Sequence, residues 1–164
     1  MHDHIVPPMD RTLAALSAIL TKAAAHCEEK GIKPEALLAF RLYPDMFPLT
    51  GQVQLACDFA ARAAARLAGA EPMGFADTET SFAELQARIA AARDYMASFP
   101  ATAHDAAAER AVTIKMRGQE VTMPGLQYLA AYSLPQFHFH ATTAYNILRH
   151  NGVEIGKRDY MGVS

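Results

Sequence analysis

A chain of 164 residues and 17.8 kDa carries a formal net charge of −2 and a pI near 6.4. Hydrophobic residues make up 51% and charged residues 20%, enough apolar side chain for one core and too much for a disordered chain. No basic field exists to hold a phosphate backbone, so nucleic acid is not an expected partner.

The 33 alanines favour helix and let helix backbones approach closely. Cys27 and Cys57 stand apart, with no CxxC and no Cys/His cluster, and read as free buried thiols of a reducing compartment. The opening Met1-His2-Asp3-His4-Ile5-Val6-Pro7-Pro8 lacks the basic and apolar regions of a signal peptide. The longest near-apolar run, Leu13 to Leu20, falls short of the ~20 residues that span a bilayer. A cytoplasmic protein with no membrane partner, one domain over residues 1–164, is expected.

The first helix is predicted from about Pro7-Pro8 to Gly31, with Ile5, Met9, Leu13, Leu16 and Leu20 as its apolar stripe. A short turn of helix follows at Pro34 to Leu38. Pro44 and Pro48 forbid regular helix across Arg41 to Leu49, yet Leu42, Tyr43, Met46, Phe47 and Leu49 make that loop apolar. It is expected to pack as a cap on one end of the core. The second long helix runs from about Thr50 to Ala68, with Val53, Cys57, Ala60, Ala64 and Leu67 inward. Gln54, Asp58, Arg62 and Arg66 form a row read as solvated, with Asp58 and Arg62 an i,i+4 pair.

The third long helix opens on a capping box, Ser81 with Glu84, and carries Phe82, Leu85, Ile89, Ala92, Met96 and Phe99. The period then changes to two. Val112, Ile114 and Met116, a turn at Arg117-Gly118, and Val121 with Met123 spell a hairpin that must lean on the helices. The last helix is predicted from Pro124-Gly125 to Asn151-Gly152, kinked or divided at Pro135, with Leu126, Ala130, Leu134, Phe137, Ala141, Ala144 and Leu148 as its stripe.

Chemistry-bearing residues are densest from Gln136 to His150. With Phe137, Ala144 and Leu148 on the seam, His140 lies about 50–60° from its centre and points inward, while His138 falls on the flank near Thr142 and Tyr145. No two histidines have the spacing of 3 or 4 that places ligands on one helical face. His140 reads either as a hydrogen-bonded core residue, with Gln52 and Tyr43 as first partners, or as a pocket residue. Phe139 falls almost opposite the core stripe, where the hairpin or a second subunit must cover it, and a C2 homodimer is expected.

Arg41-Leu42-Tyr43-Pro44-Asp45-Met46-Phe47-Pro48-Leu49 followed by Gln52-Val53-Gln54 resembles the front signature of the domain of unknown function numbered nineteen ninety-three. Phe137 to Ala144, then Tyr145, Leu148-Arg149-His150-Asn151-Gly152-Val153, Gly156-Lys157 and Asp159-Tyr160, is similar to its rear signature. The resemblance spans nearly the whole chain and implies the DinB/YfiT-like helical-bundle fold. It further implies what many DinB-like proteins have: a divalent metal held by one histidine on the second helix and an HxxxH pair on the last, with thiol-dependent transferase or isomerase activity in some. This sequence has Gln52 and Gln54 where the first histidine is wanted, and on the last helix keeps His140 alone.

The fold expected is mainly α: a DinB-like up-down-up-down four-helix bundle with a small β-hairpin between helices 3 and 4. The function expected is small-molecule binding without catalysis; the alternative is a DinB-like thiol-dependent transferase, with or without a metal. His140, Gln52, Tyr43, His138 and Tyr145 are the pocket candidates. No cofactor is expected; a divalent metal, if held, would draw on His140, Gln52 and Asp58.

Overall fold

Pro7 and Pro8 fill the first turn of α1 (Val6–Lys30), where their missing N–H groups have no helical partner to lose. The helix stops at Gly31, whose φ of 64° is the left-handed conformation that glycine enters without a Cβ penalty. The computed structural model describes residues 1–163. After α1 come a short α2 (Pro34–Leu38), α3 (Leu49–Ala68) and α4 (Phe82–Ala97). At the start of α4 the Ser81 hydroxyl accepts from Glu84 N at 3.2 Å, and Glu84 reaches back to Thr80 N, one residue before the cap.

The hairpin follows as β1 (Ala111–Met116) and β2 (Gln119–Pro124), antiparallel, with Val112 opposite Met123 and Ile114 opposite Val121. Arg117 and Gly118 both have positive φ, as the tight turn between twisted strands requires. Val112 and Ile114 are buried, so one face of the hairpin rests on the helices. The final helical run divides into α5 (Gly125–Gln127), a π-helical turn (Tyr128–Ser133) and α6 (Leu134–His150), with α7 (Lys157–Met161) after it.

The four long helices α1, α3, α4 and α6 form the expected bundle, with the hairpin between the third and fourth. The directions of the third and fourth differ from the expected up-down-up-down order. Asp10 pairs with Arg93 and Gln86 bonds Ser17 and Thr21, so α1 and α4 are antiparallel. Gln52 meets His140 and Arg66 meets Tyr128, so α3 and α6 are antiparallel. Gln54 meets Glu79 just before α4 and Ala64 meets His104 just after it, so α3 and α4 are parallel. The order is up-down-down-up.

Residues 70–80 make this possible. Glu71 O accepts from Tyr95 near the end of α4, Ala76 O from Arg88 at its middle, and Glu79 bonds Gln54 beyond its start. This segment runs back along the bundle; eleven extended residues span about 36 Å, more than the ~30 Å of a 20-residue helix. Its lack of period left no direction to read.

Three further expectations are corrected. The Arg41–Pro48 loop does not cap the core. Tyr43 and Phe47 are 65% and 57% exposed, and only Leu49 is sealed. The loop closes on itself instead, through Arg41 Nη1 to Met46 O and Met46 N to Tyr43 O. On the last helical run Leu126 is exposed and Ala130 with it, while Gly125, Tyr128 and Leu129 are buried. The π turn, lying just before Pro135, winds an extra residue into the helix and shifts the inward face by one position upstream. Asp58, read as solvated, is buried.

Gly125 packs tightly against the backbone at Ala107 and against Leu67 of α3. A Cβ there would lie 1.9 Å from Ala107 O and 2.8 Å from Leu67 Cδ2. Gly125→Ala must push backbone aside and is expected to lower stability by about 1–3 kcal/mol in chemical denaturation.

Candidate functional site

α3 and α6 meet along a seam built of small residues. Ala56, Ala60, Ala63 and Ala64 of α3 and Ala141 and Ala144 of α6 are fully buried, which draws the two backbones together. On this seam His140, only 7% exposed, donates from Nδ1 to Gln52 Oε1 at 2.8 Å. The direction follows from the neighbouring bond. Gln52 Nε2 donates to Phe47 O at 3.1 Å, so the amide must turn its oxygen to the ring.

With Nδ1 protonated, Nε2 carries the lone pair. Among the described residues Nε2 has no partner, and it is not one of the sealed unpaired atoms, which are Arg88 Nε, His104 Nδ1 and Arg110 Nε. It therefore retains contact with solvent. Phe59 stacks on the imidazole at 5.6 Å and 10°, and Phe139 meets it edge-on at 5.3 Å. Burial pushes the His140 pKa down to about 4, so the ring is neutral at physiological pH. The arrangement is a pre-set hydrogen-bond acceptor at the surface of an aromatic seam.

The sequence-predicted site residues divide. His140 and Gln52 come together as expected. Tyr43 does not join them: it lies in the exposed loop, held outward between Pro44 and the turn to Met46. His138 and Tyr145 lie on the opposite flank of α6, against α7. There Tyr160 OH meets His138 Nδ1 at 3.4 Å, accepts from Thr142 at 3.0 Å and packs edge-on to Tyr145.

Arg88 is a residue the sequence reading missed. Its guanidinium is buried and meets Asp58 at 2.6 Å, Glu79 at 3.0 Å and Asp77 at 3.1 Å, with Phe75 stacked on it at 4.4 Å. Arg62 takes the other Asp58 oxygen at 2.5 Å. Burial pushes the Glu79 carboxyl up, but the hydrogen bonds from Gln54 and Arg88 outweigh it and hold the group below its ordinary range. Beside this network burial raises the Cys57 thiol to about 12, which leaves it inert as a nucleophile. The signal for Arg88 was its spacing: three residues after Leu85 and four before Ala92, it stands in the apolar row.

Fold and seam together define a DinB-like helical bundle. A solved structure described as a DinB family member protein from Shewanella denitrificans matches with a TM-score of 0.92 and 40% sequence identity, covering 99% of this chain and 92% of that one. The profile of a family described as Domain of unknown function (DUF1993) matches residues 1–161, and the chain belongs to that family. No curated protein matches the chain.

The fold implies a divalent metal between the second and last long helices, where His140 and Gln52 stand. The residues here do not fit one. Gln52 offers a neutral amide, Ala144 follows His140 by one turn, and Asp58 is held by two arginines. Among the described residues no group of three His, Cys, Asp or Glu side chains is placed to hold a metal ion; Asp58, Asp77 and Glu79 gather around the Arg88 guanidinium instead.

Proposed function

We propose that this protein binds a small molecule, without catalysing a reaction, at the α3–α6 seam through the Nε2 lone pair of His140. The observation that supports this is the Phe47–Gln52–His140 relay, which leaves one acceptor of fixed tautomer open on an aromatic surface. Such a site favours a neutral ligand with an N–H or O–H donor beside an apolar ring that lies on Phe59. A thermal-shift screen of neutral heteroaromatic fragments tests it. Fragments bearing an N–H raise Tm in the natural protein, their N-methyl analogues do not, and His140→Ala loses the response. Stabilisation that survives in His140→Ala contradicts the assignment. The variant also removes a buried, paired ring, so it costs about 2 kcal/mol of stability.

The homodimer belongs to the same reading. Phe139 is 54% exposed beside the seam, and a second copy related by a twofold axis would cover it. Static light scattering is expected to give twice the 17.8 kDa of one chain; a mass of one chain at tens of micromolar contradicts it. Cys27 and Cys57 are free and buried, which suits a reducing compartment, and we place the protein in the cytoplasm on that ground. Among the described residues no helix is long and apolar enough to cross a membrane.

A further inference from the structure

Fourteen residues along α3 from Gln52, about 21 Å away, lies a feature the His140 reading does not use. A cleft of about 470 Å³ opens between the C-terminal end of α3 and β1, whose outer edge pairs with no strand among the described residues. Arg66 and Arg110 line it, with Glu71 as the one carboxylate. Neither arginine has a carboxylate within 4 Å among the described residues, whereas Arg62, Arg88 and Arg93 all do.

Both guanidinium groups are held in place. Arg66 donates to Tyr128 OH at 3.3 Å and stands over that ring at 5.9 Å. Arg110 lies on Gly69, so close that a Cβ there would sit 2.0 Å from its Nη1. Gly69, at φ 79°, is both the left-handed stop of α3 and the seat of this side chain. Yet the Arg110 guanidinium has no hydrogen-bond acceptor among the described residues: its Nε is sealed without one, and its two Nη atoms are unpaired and not sealed. The negative end of the α3 dipole attracts both cations, but it gives the Arg110 fork no acceptor. A planar fork, positioned and unpaired, beside a second cation in a cleft of ligand size matches one chemistry.

We propose that this cleft is an oxyanion site, in which Arg66 and Arg110 together hold the phosphate or carboxylate group of a small molecule. Both groups present paired oxygens to a guanidinium fork; Thr113 lines the cleft wall, with its hydroxyl already shared with Thr122 at 2.8 Å, and the two arginines carry the recognition.

Amide chemical shifts followed by NMR during titration with inorganic phosphate, and separately with citrate, test the proposal. Sodium chloride at matched ionic strength is the control. At least one of the two anions is expected to give saturable shifts at Gly69, Arg110 and Thr113 below about 10 mM, and the tighter of the two names the group preferred. Arg66→Gln and Arg110→Gln each weaken binding about tenfold. Glu71→Gln removes the cleft's own carboxylate from an exposed position and tightens binding severalfold, a gain that a purely structural role for the arginines does not produce. No saturable shift with either anion, equal shifts with chloride, or binding unchanged in all three variants overturns the proposal.

Discussion

Arg88→Met lowers the free energy of unfolding by about 3–5 kcal/mol in urea denaturation, because it leaves the largely buried Glu79 carboxylate without its cation and Asp58 with Arg62 alone. Asp58 loses the more deeply buried of its two arginines, Glu79 loses its only ion-pair partner among the described residues, and Ala76 O loses its donor. The loss reaches beyond the ion pairs. Residues 70–80 carry no regular structure, and Arg88 is their anchor at the middle of α4. Amide exchange in this segment should rise more in Arg88→Met than the global loss of stability explains. The contrasting variant is Arg93→Ala, which breaks a half-exposed pair with Asp10 and is expected to cost less than about 1 kcal/mol. Equal losses in the two variants would show that the buried network does not hold the crossover.

Stability falls between pH 6.5 and pH 4, and His140 accounts for about 3 kcal/mol of the fall. Burial holds its folded pKa at about 4, below the ordinary imidazole value of 6.5. In that window the unfolded chain binds a proton that the folded chain refuses. The contribution is therefore complete above about pH 6.5 and is lost as the pH drops to about 4. Burial lowers His104 and His138 too, so the total acid response is shared. His140→Gln isolates the one residue, since an amide can still bond Gln52 and does not titrate. The stability difference between the natural protein and this variant should shift by about 3 kcal/mol in favour of the variant from pH 7 to pH 4. A difference that stays constant across the window would place the His140 ring in a hydrated environment.

The helices and the seam were readable because periodicity carries them. Val53, Cys57, Ala60, Ala64 and Leu67 repeat at helical spacing and are all sealed. His140 follows from the same phase, and Gln52 from its place at the start of an antiparallel neighbour. The features that escaped lie where periodicity ends or misleads. The direction of α4 is set by the residues 70–80, whose contacts are with distant Tyr95, Arg88 and Gln54 and whose own sequence repeats nothing. Leu126 was placed inward by extrapolating the α6 stripe through a π turn, whose only local sign is Pro135. Asp58 looked satisfied by Arg62 four residues on, and that pair concealed the second, buried partner on another helix. The apolar neighbours of Tyr43 point it to the core, but the loop closes on itself through Arg41 and Met46 and leaves the ring in solvent.

The account rests on one protonation state: His140 neutral, its Nδ1 hydrogen given to Gln52 and its Nε2 open. Two-bond nitrogen–proton correlation spectra of the imidazole rings in uniformly labelled protein at pH 6 report it directly. The predicted spectrum assigns His140 a protonated Nδ1 and a bare Nε2, unchanged as the pH is lowered towards 5. An Nε2-protonated ring, or one that charges near pH 6.5, would contradict the relay from Phe47 through Gln52 and with it the proposed binding site.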